Sequence, residues 1–331
     1  MINFGTVGTS WITEEFINTG KTFDEFKLTA VYSREEEKGR TFAEKHGVKN
    51  FYNNLDRMAK SDIDAVYIAS PNSLHCSQVM LFMEHKKHVI CEKPMASNCK
   101  ELEMMFRCAK ENNVLLMEAY KSALMPGFKT IKEQLPKLGV IRSIYINFSK
   151  YSSRYDAHKA GKPVNTFKAK FSNGAMMDLG VYCLYPVIIL FGAPKEVKAF
   201  STIIPDGVDG AGTTIMDYET FTATLNYSKV GNSFLPSEIQ GEDATLCIDK
   251  FNIPEKIEVR YRDRRKEEIV ISERQDSMCY EIEEFIRCIK EGHMQSPINS
   301  HKLSYDSMSV MDEVRRQTGI IYPADLIKIN Y

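Results

Sequence analysis

Tryptophan is almost absent from the 331 residues, Trp11 being the sole example, and neither sign of charge is in excess. The 43 basic and 44 acidic side chains leave a formal charge of −1, and no basic stripe interleaved with aromatics is present. A nucleic-acid partner or an anionic membrane surface would need such a stripe, so neither is expected. Eight cysteines are scattered at Cys76, Cys91, Cys99, Cys108, Cys183, Cys247, Cys279 and Cys288, with no C-x-x-C pair and no His-Cys cluster at zinc spacing. They read as reduced thiols, mostly core, of a cytoplasmic protein that holds no metal. His85-Lys86-Lys87-His88 likewise lacks a third ligand nearby. The longest uncharged run, Leu179 to Pro194, contains Pro186 and is too short to span a bilayer, which predicts a buried helix instead. Met1-Ile2-Asn3-Phe4-Gly5 lacks the charged and apolar regions of a signal peptide, so nothing points to export.

What is present is a regular alternation. Ile2 to Val7 reads as a strand entering a glycine turn, with a helix from about Ser10. A second strand, Lys27 to Ser33, leads to a helical stretch from Glu35 to His46. Val48 to Tyr52 is a minor strand, and Asp64 to Ala69 is a buried one that breaks at Ser70-Pro71-Asn72. A helix from Leu74 to His85, a short strand within Lys87 to Pro94, a helix from Ser97 to Asn112 and a strand from Val114 to Met117 follow, ending at Glu118-Ala119-Tyr120-Lys121. This alternation predicts a parallel sheet with helices on both faces. After residue 121 the texture changes. A helix from Met125 to Leu138 and a long alternating strand from Val140 to Tyr151 precede a polar loop, Ser152 to Ser172, and an apolar helix, Ala175 to Phe191. Strand follows strand from Glu196 to Ile271, and two amphipathic helices, about Met278 to Glu291 and Leu303 to Gln317, come last. The fold class is therefore α/β plus α+β. A dinucleotide-binding domain of the Rossmann type is expected over 1–121, and a C-terminal domain built on a large, mainly antiparallel open sheet over 122–331.

Three sites could carry chemistry. Gly5-Thr6-Val7-Gly8-Thr9-Ser10-Trp11 is similar to a dinucleotide fingerprint in which Gly8 holds the first glycine position, while Ser10 and Thr13 replace the other two. Ser10 is small and can cap a helix whose N-terminal N–H groups would face a phosphate. At the tip of the second strand Ser33 and Arg34 suit the 2′-phosphate of NADP, with Glu35 as a rival that would suit NAD. Glu92-Lys93-Pro94 places charges at the carboxyl end of a buried strand, where open parallel sheets bind ligands, which makes Lys93 the first catalytic candidate. Asp178 and Tyr182, four apart on an apolar helix, project from one face. A carboxylate buried there needs a cation such as Lys93, and Tyr182 becomes the proton donor or acceptor. Tyr155 to Lys159 mimics a Tyr-x-x-x-Lys dehydrogenase pair, but it falls in the polar loop.

Taken in order, Gly5-x-x-Gly8, Ser70-Pro71-Asn72-x-x-His75, Glu92-Lys93-Pro94, Met117-Glu118-Ala119 and Asp178-Leu179-Gly180-Val181-Tyr182 resemble the Gfo/Idh/MocA oxidoreductase family over essentially the whole chain. Met278-x-Tyr280-Glu281 and Gly319 to Asp325 resemble its dimeric dihydrodiol dehydrogenase branch most. The resemblance implies hydride transfer between NADP (or NAD) and a hydroxyl/carbonyl carbon of a small polar substrate: a sugar, polyol or cyclic diol. Lys93, with a cis Lys93-Pro94 bond, would be the catalytic or nicotinamide-positioning lysine, and Asp178 and Tyr182 would complete the proton-transfer set. The cofactor would meet Gly8, Thr9, Ser10, Trp11, Ser33, Arg34, Ser70, Pro71, Asn72, His75, Glu92, Lys93, Pro94 and Glu118. The substrate side is expected around Tyr120, Lys121, Tyr155 and His158. Lys121 and Ala123 stand where that branch carries Trp and Arg. A non-catalytic NAD(P)-binding sensor on the same scaffold is the alternative. A homodimer is expected through the sheet between Glu196 and Ile271, where Phe221, Ala223, Leu225 and Tyr227 alternate with a threonine-rich second face.

Overall fold

A computed structural model describes residues 1–162, 164–272, 274 and 276–327. The alternation in the first 120 residues produces β1 (Ile2–Val7), α1 (Trp11–Gly20), β2 (Phe26–Tyr32), α2 (Glu36–His46), β3 (Asn50–Tyr52), α3 (Leu55–Ala59), β4 (Ala65–Ile68), α4 (His75–Glu84), β5 (His88–Glu92), α5 (Cys99–Asn112) and β6 (Leu116–Ala119). These strands form one parallel sheet in the order β3-β2-β1-β4-β5-β6. β4 is buried at every position, as a strand covered on both faces must be. The strand order reverses between β1 and β4, and the carboxyl ends at such a reversal are where open sheets hold ligands.

Next in the chain come α6 (Pro126–Gln134), β7 (Ile141–Ser149), α7 (Tyr155–Lys159) and α8 (Val181–Phe191). They are followed by β8 (Glu196–Ile204), β9 (Val208–Asp217), β10 (Thr222–Ser228), β11 (Ser237–Gly241), β12 (Ala244–Ile248), β13 (Lys256–Tyr261) and β14 (Lys266–Val270). Last are α9 (Cys279–Lys290) and α10 (His301–Thr318). The second sheet runs β14-β13-β12-β11-β7-β10-β9-β8 and is antiparallel except where β7 meets β10. A parallel pair needs a crossover rather than a hairpin, and the segment between β7 and β10 contains α8, which packs on both strands. Ala223, Leu225 and Tyr227 of β10 are buried on the α8 side. The opposite face carries Thr224 and Asn226, with Ile215 and Phe200 in the same cross-strand rows at 41% and 79% exposure.

The chain divides into two compact units, Met1–Lys121 with Gln275–Ser304, and Ser122–Arg274 with Tyr305–Tyr331. The expected split at 121 therefore misplaces α9. Its Met278, Ile282, Phe285, Ile286 and Cys288 belong to the core that contains Phe4, Phe16, Phe26 and Tyr67, because the apolar stripe of α9 finds its complement there. Phe16 stacks on Tyr67 at 3.9 Å between centroids, and Phe285 lies 6.0 Å from Phe4. Phe285→Ala should lower stability by about 3–5 kcal/mol, read as a lower denaturation midpoint at constant slope. A loss below about 1 kcal/mol would show that α9 is peripheral to this core.

Candidate active site

In the first unit, β1 ends in a turn that only glycine fits. Gly8 has φ +117°, and a Cβ there would lie 2.9 Å from the Ala69 carbonyl oxygen. The backbone at the N-terminus of α1 is thereby pressed toward the end of β4. Ser10 does not cap α1 as expected; its Oγ lies 3.3 Å from Thr13 Oγ1, and the two hydroxyls pair with each other. Trp11 stands 72% exposed at the start of α1, with Thr9 half-buried beside it. Ser33 is 7% exposed and its Oγ accepts from the Glu35 N–H at 3.2 Å, so it shapes the turn more than it presents a free hydroxyl. Arg34 and Glu35 are exposed. A cleft of about 530 Å³ beside them is lined by Thr9, Glu35, Glu36, Glu37, Lys38, Thr41, Phe42 and Lys45. Lys38, in the first turn of α2, was not among the residues expected from the sequence, because no motif singles it out.

The ends of β4 and β5 are tied by one buried imidazole. His75 Nδ1 lies 3.0 Å from the Pro94 carbonyl and Nε2 lies 2.8 Å from the Ser70 carbonyl. Burial lowers its pKa, while both carbonyl bonds oppose that. With no exposed surface, His75 braces the two loops. The Ser70 hydroxyl donates to Gln78 Oε1 at 2.6 Å, and Pro71 and Asn72 are half-buried. The Lys93-Pro94 peptide is cis, Lys93 is half-buried and Pro94 is buried. Beside them the Tyr67 hydroxyl donates to Glu92 Oε1 at 2.5 Å. Burial raises the Glu92 pKa, and the Lys93 charge and the Tyr67 bond pull it back.

Two of the residues expected at the site are buried in this unit. Glu118 is 2% exposed, and its carboxylate accepts from the Met95 N–H at 2.9 Å and from the Ser304 hydroxyl. It fixes the loop after Pro94 from beneath. Tyr120 is 1% exposed, and Asn299 Nδ2 donates to its carbonyl at 3.0 Å. Its ring is core rather than substrate wall. Lys121 is half-buried and acts electrostatically on Glu92.

In the second unit the apolar helix opens with a π-helical turn, Met176–Gly180, before α8 begins at Val181. Two features force the wider turn. Buried Asp209 accepts from the N–H groups of Ala175 at 3.0 Å and Met176 at 2.7 Å, and its own pKa is raised to about 6 by burial. Gly180 meets β10 so closely that a Cβ would lie 3.1 Å from the Tyr227 ring. Such turns recur at functional sites. Asp178 lies on this turn and Tyr182 on the first turn of α8, where its ring meets Phe148 edge-on at 5.7 Å. Asp178 is not the buried acid that the apolar sequence suggests. Its side chain is 41% exposed, and Oδ2 accepts from Lys229 Nζ at 2.5 Å. Lys229 is the buried member, 3% exposed, with its ammonium also 5.1 Å from the Phe167 ring. No spacing rule links Lys229 to Asp178 in the sequence, so this partner was missed. Tyr155 and His158 lie on α7, not in a loop. The His158 side chain is 9% exposed and packs on Tyr155 and Phe167, which makes it a poor wall for a polar substrate.

Family models match both units' sequences. Residues 2–120 match an oxidoreductase family with an NAD-binding Rossmann fold, and residues 129–247 match the GFO/IDH/MocA C-terminal domain. Scyllo-inositol 2-dehydrogenase (NADP(+)) IolU of Bacillus subtilis is 49% identical over 98% of this chain and 99% of its own length. Trans-1,2-dihydrobenzene-1,2-diol dehydrogenase of Danio rerio is 27% identical over 98% and 99%. Among solved structures, the 3-ketoreductase KijD10 of Actinomadura kijaniata, in complex with NADP and TDP-benzene, shares the fold with a TM-score of 0.85 at 21% identity, covering 96% of this chain and 98% of that one.

The Asp178–Lys229 pair gives a stability test. Asp178→Asn should cost about 1–3 kcal/mol, because it leaves a buried ammonium with a weaker partner. Chemical denaturation measures this, and an unchanged midpoint would show that Lys229 needs no carboxylate there.

Proposed function

The chain belongs to the Gfo/Idh/MocA family of oxidoreductases, and on that premise we propose that it oxidises a secondary hydroxyl of an inositol-type cyclic polyol with NADP⁺ as the hydride acceptor. The observation that carries this reading is the 49% identity, over 98% of the chain, to a relative named as an NADP⁺-dependent scyllo-inositol dehydrogenase. The residues present fit a dinucleotide. The Gly8 cradle, which a Cβ would fill, and the amino end of α1 suit a pyrophosphate, and exposed Trp11 stands beside them. Arg34 is exposed and available to a 2′-phosphate, and Lys38 adds a second cation in the adjoining cleft, against Glu35, Glu36 and Glu37.

When bound, the nicotinamide supplies the hydride acceptor at C4. The remaining tasks belong to the chain. Lys93, set at the end of β5 by the bonds that His75 and Glu118 make to the Pro94 carbonyl and the Met95 N–H, holds the nicotinamide end. Tyr182, as its phenolate, takes the hydroxyl proton at Oη as the carbon gives up hydride, and as the phenol returns it in the reverse direction. Asp178, anchored by Lys229, orients the substrate's hydroxyl groups from the preceding turn.

We further assign a cytoplasmic location and a homodimer. All eight cysteines are free thiols, as a reducing compartment would keep them. The outer face of the second sheet, with Phe200, Ile215 and its threonine rows, suits a second copy of this chain.

Turnover of scyllo-inositol, followed by NADPH absorbance, tests the reading. Tyr182→Phe should cut kcat about 100- to 10,000-fold while quenching of Trp11 fluorescence by NADPH stays as in the wild type. Arg34→Ala should raise KM for NADP⁺ far more than for NAD⁺. Full turnover in Tyr182→Phe would remove the tyrosine from proton transfer, and equal effects on both cofactors would remove Arg34 from their discrimination. Light scattering at micromolar concentration should report a dimer; a monomer would refute the proposed sheet interface.

A further inference from the structure

The chain beyond α10 has no part in the chemistry described so far, although Gly319 to Asp325 stood out in the sequence. Gly319, at φ +75°, ends α10, and the Ile320 N–H returns to the Arg315 carbonyl at 3.0 Å. The chain thereby doubles back. Tyr322 comes to lie with its ring centroid 4.4 Å from the Arg315 guanidinium carbon, and both side chains are buried, at 1% and 4% exposure. Asp325, in a short 3₁₀ turn over Pro323–Leu326, closes the arrangement. Its carboxylate accepts from the Tyr322 N–H at 2.8 Å and from both terminal nitrogens of Arg315, which also bonds to Asp312.

With ring and backbone both held, the Tyr322 hydroxyl acts 149 residues back in the chain: Oη donates to the Asn173 carbonyl at 2.9 Å. Burial keeps the phenol far above its ordinary pKa, so it remains a donor. Asn173 belongs to the bend that leads into the π-helical turn bearing Asp178. Ser172 before it is fully buried and left-handed at φ +55°, a backbone that a residue other than glycine keeps only where its surroundings fix it. Gly174 after it, at φ +150°, lies so close to Asp209 that a Cβ would collide with Oδ1. From there the bonds run directly into the π turn. Asp209 takes the Ala175 and Met176 N–H groups, and the Gly174 carbonyl accepts the Asp178 N–H at 3.2 Å.

We propose that Tyr322 is a positioning residue for Asp178: held by Arg315 and Asp325, its hydroxyl fixes the Asn173 carbonyl and with it the entry to the π turn. Asp209 on β9 holds the turn itself, and Tyr322 holds the peptide just before it. Anchors on neighbouring peptides set the path of the backbone as well as its place, and the Asp178 carboxylate follows that path. The consequence for substrate rests on the role given to Asp178 above; the anchoring of the turn does not. An aspartate that orients hydroxyl groups does so in the ground state and the transition state alike, so a looser turn raises KM and spares kcat. Tyr182, beyond the turn and packed on Phe148, keeps its place.

Hydrogen exchange of the intact protein, read by mass spectrometry on peptides covering 174–180, tests the anchor without substrate. In Tyr322→Phe, which deletes only the hydroxyl and keeps the ring against Arg315, exchange of the Ala175, Met176 and Asp178 amides should quicken about 3- to 10-fold. Asp325→Asn, which leaves the hydroxyl but loosens its holder, should act in the same direction. KM for scyllo-inositol should rise by a similar factor in both variants, with kcat and the quenching of Trp11 by NADPH within about twofold of the wild type. Ile257→Val, a buried change in β13 of the same unit, should move neither exchange in this segment nor KM. Unchanged exchange in Tyr322→Phe would overturn the proposal, and so would an equal rise in Ile257→Val, which would mark general loosening. Faster exchange with KM unmoved, or with kcat falling in its place, would overturn the link to Asp178. If the wild type does not turn over scyllo-inositol, the proposed function falls and exchange alone decides the anchor.

Discussion

The first unit depends on one buried imidazole that joins two backbone carbonyls. His75 lies between Ser70 and Pro94, at the carboxyl ends of neighbouring strands, and Glu118 holds the Met95 N–H from below. Carbonyl and N–H groups in loops at a sheet's end would ordinarily turn to water; here buried side chains hold them, so the loops have little freedom. The backbone that follows Lys93 is thereby braced at Pro94 and Met95. A lysine side chain loses considerable rotamer entropy when it is fixed, and a backbone already braced on both sides leaves less to be ordered when a ligand arrives.

The second unit solves a different problem. Asp178 and Tyr182 must be presented on the most apolar helix of the unit, and a uniform α-helix would have to pack that stretch flat on the sheet. Asp209 binds the N–H groups at its start, Gly180 lets it approach Tyr227, and the π turn results. The carboxylate of Asp178 thus remains half exposed on a helix whose other residues are mostly buried, and the desolvation falls on Lys229 instead.

The parallel sheet was legible because its signals are local: apolar runs of strand length, a glycine turn, and helices of regular period between them. Lys93 was legible for the same reason, since strand, charge and proline are adjacent in sequence. What escaped depends on contacts distant along the chain. Lys229 is 51 residues from Asp178, Asp209 is 33 from Met176, and Ser304 is 186 from Glu118. The placement of α9 with the first unit escaped too, because an amphipathic stripe announces that a helix is buried but not against what. Glu118 and His75 were singled out in the sequence, which could not say that each also holds backbone groups of the loop after β5.

The central claim is that this chain moves a hydride between a polyol carbon and nicotinamide. Incubation with NADP⁺ and scyllo-inositol deuterated at its ring carbons, followed by NMR of the nicotinamide, tests it most directly. The account predicts deuterium at C4 of the reduced cofactor, on one face only, and slower turnover than with the protonated polyol. Reduced cofactor without deuterium at C4, or no reduced cofactor across inositols, sugars and cyclic diols, would contradict it.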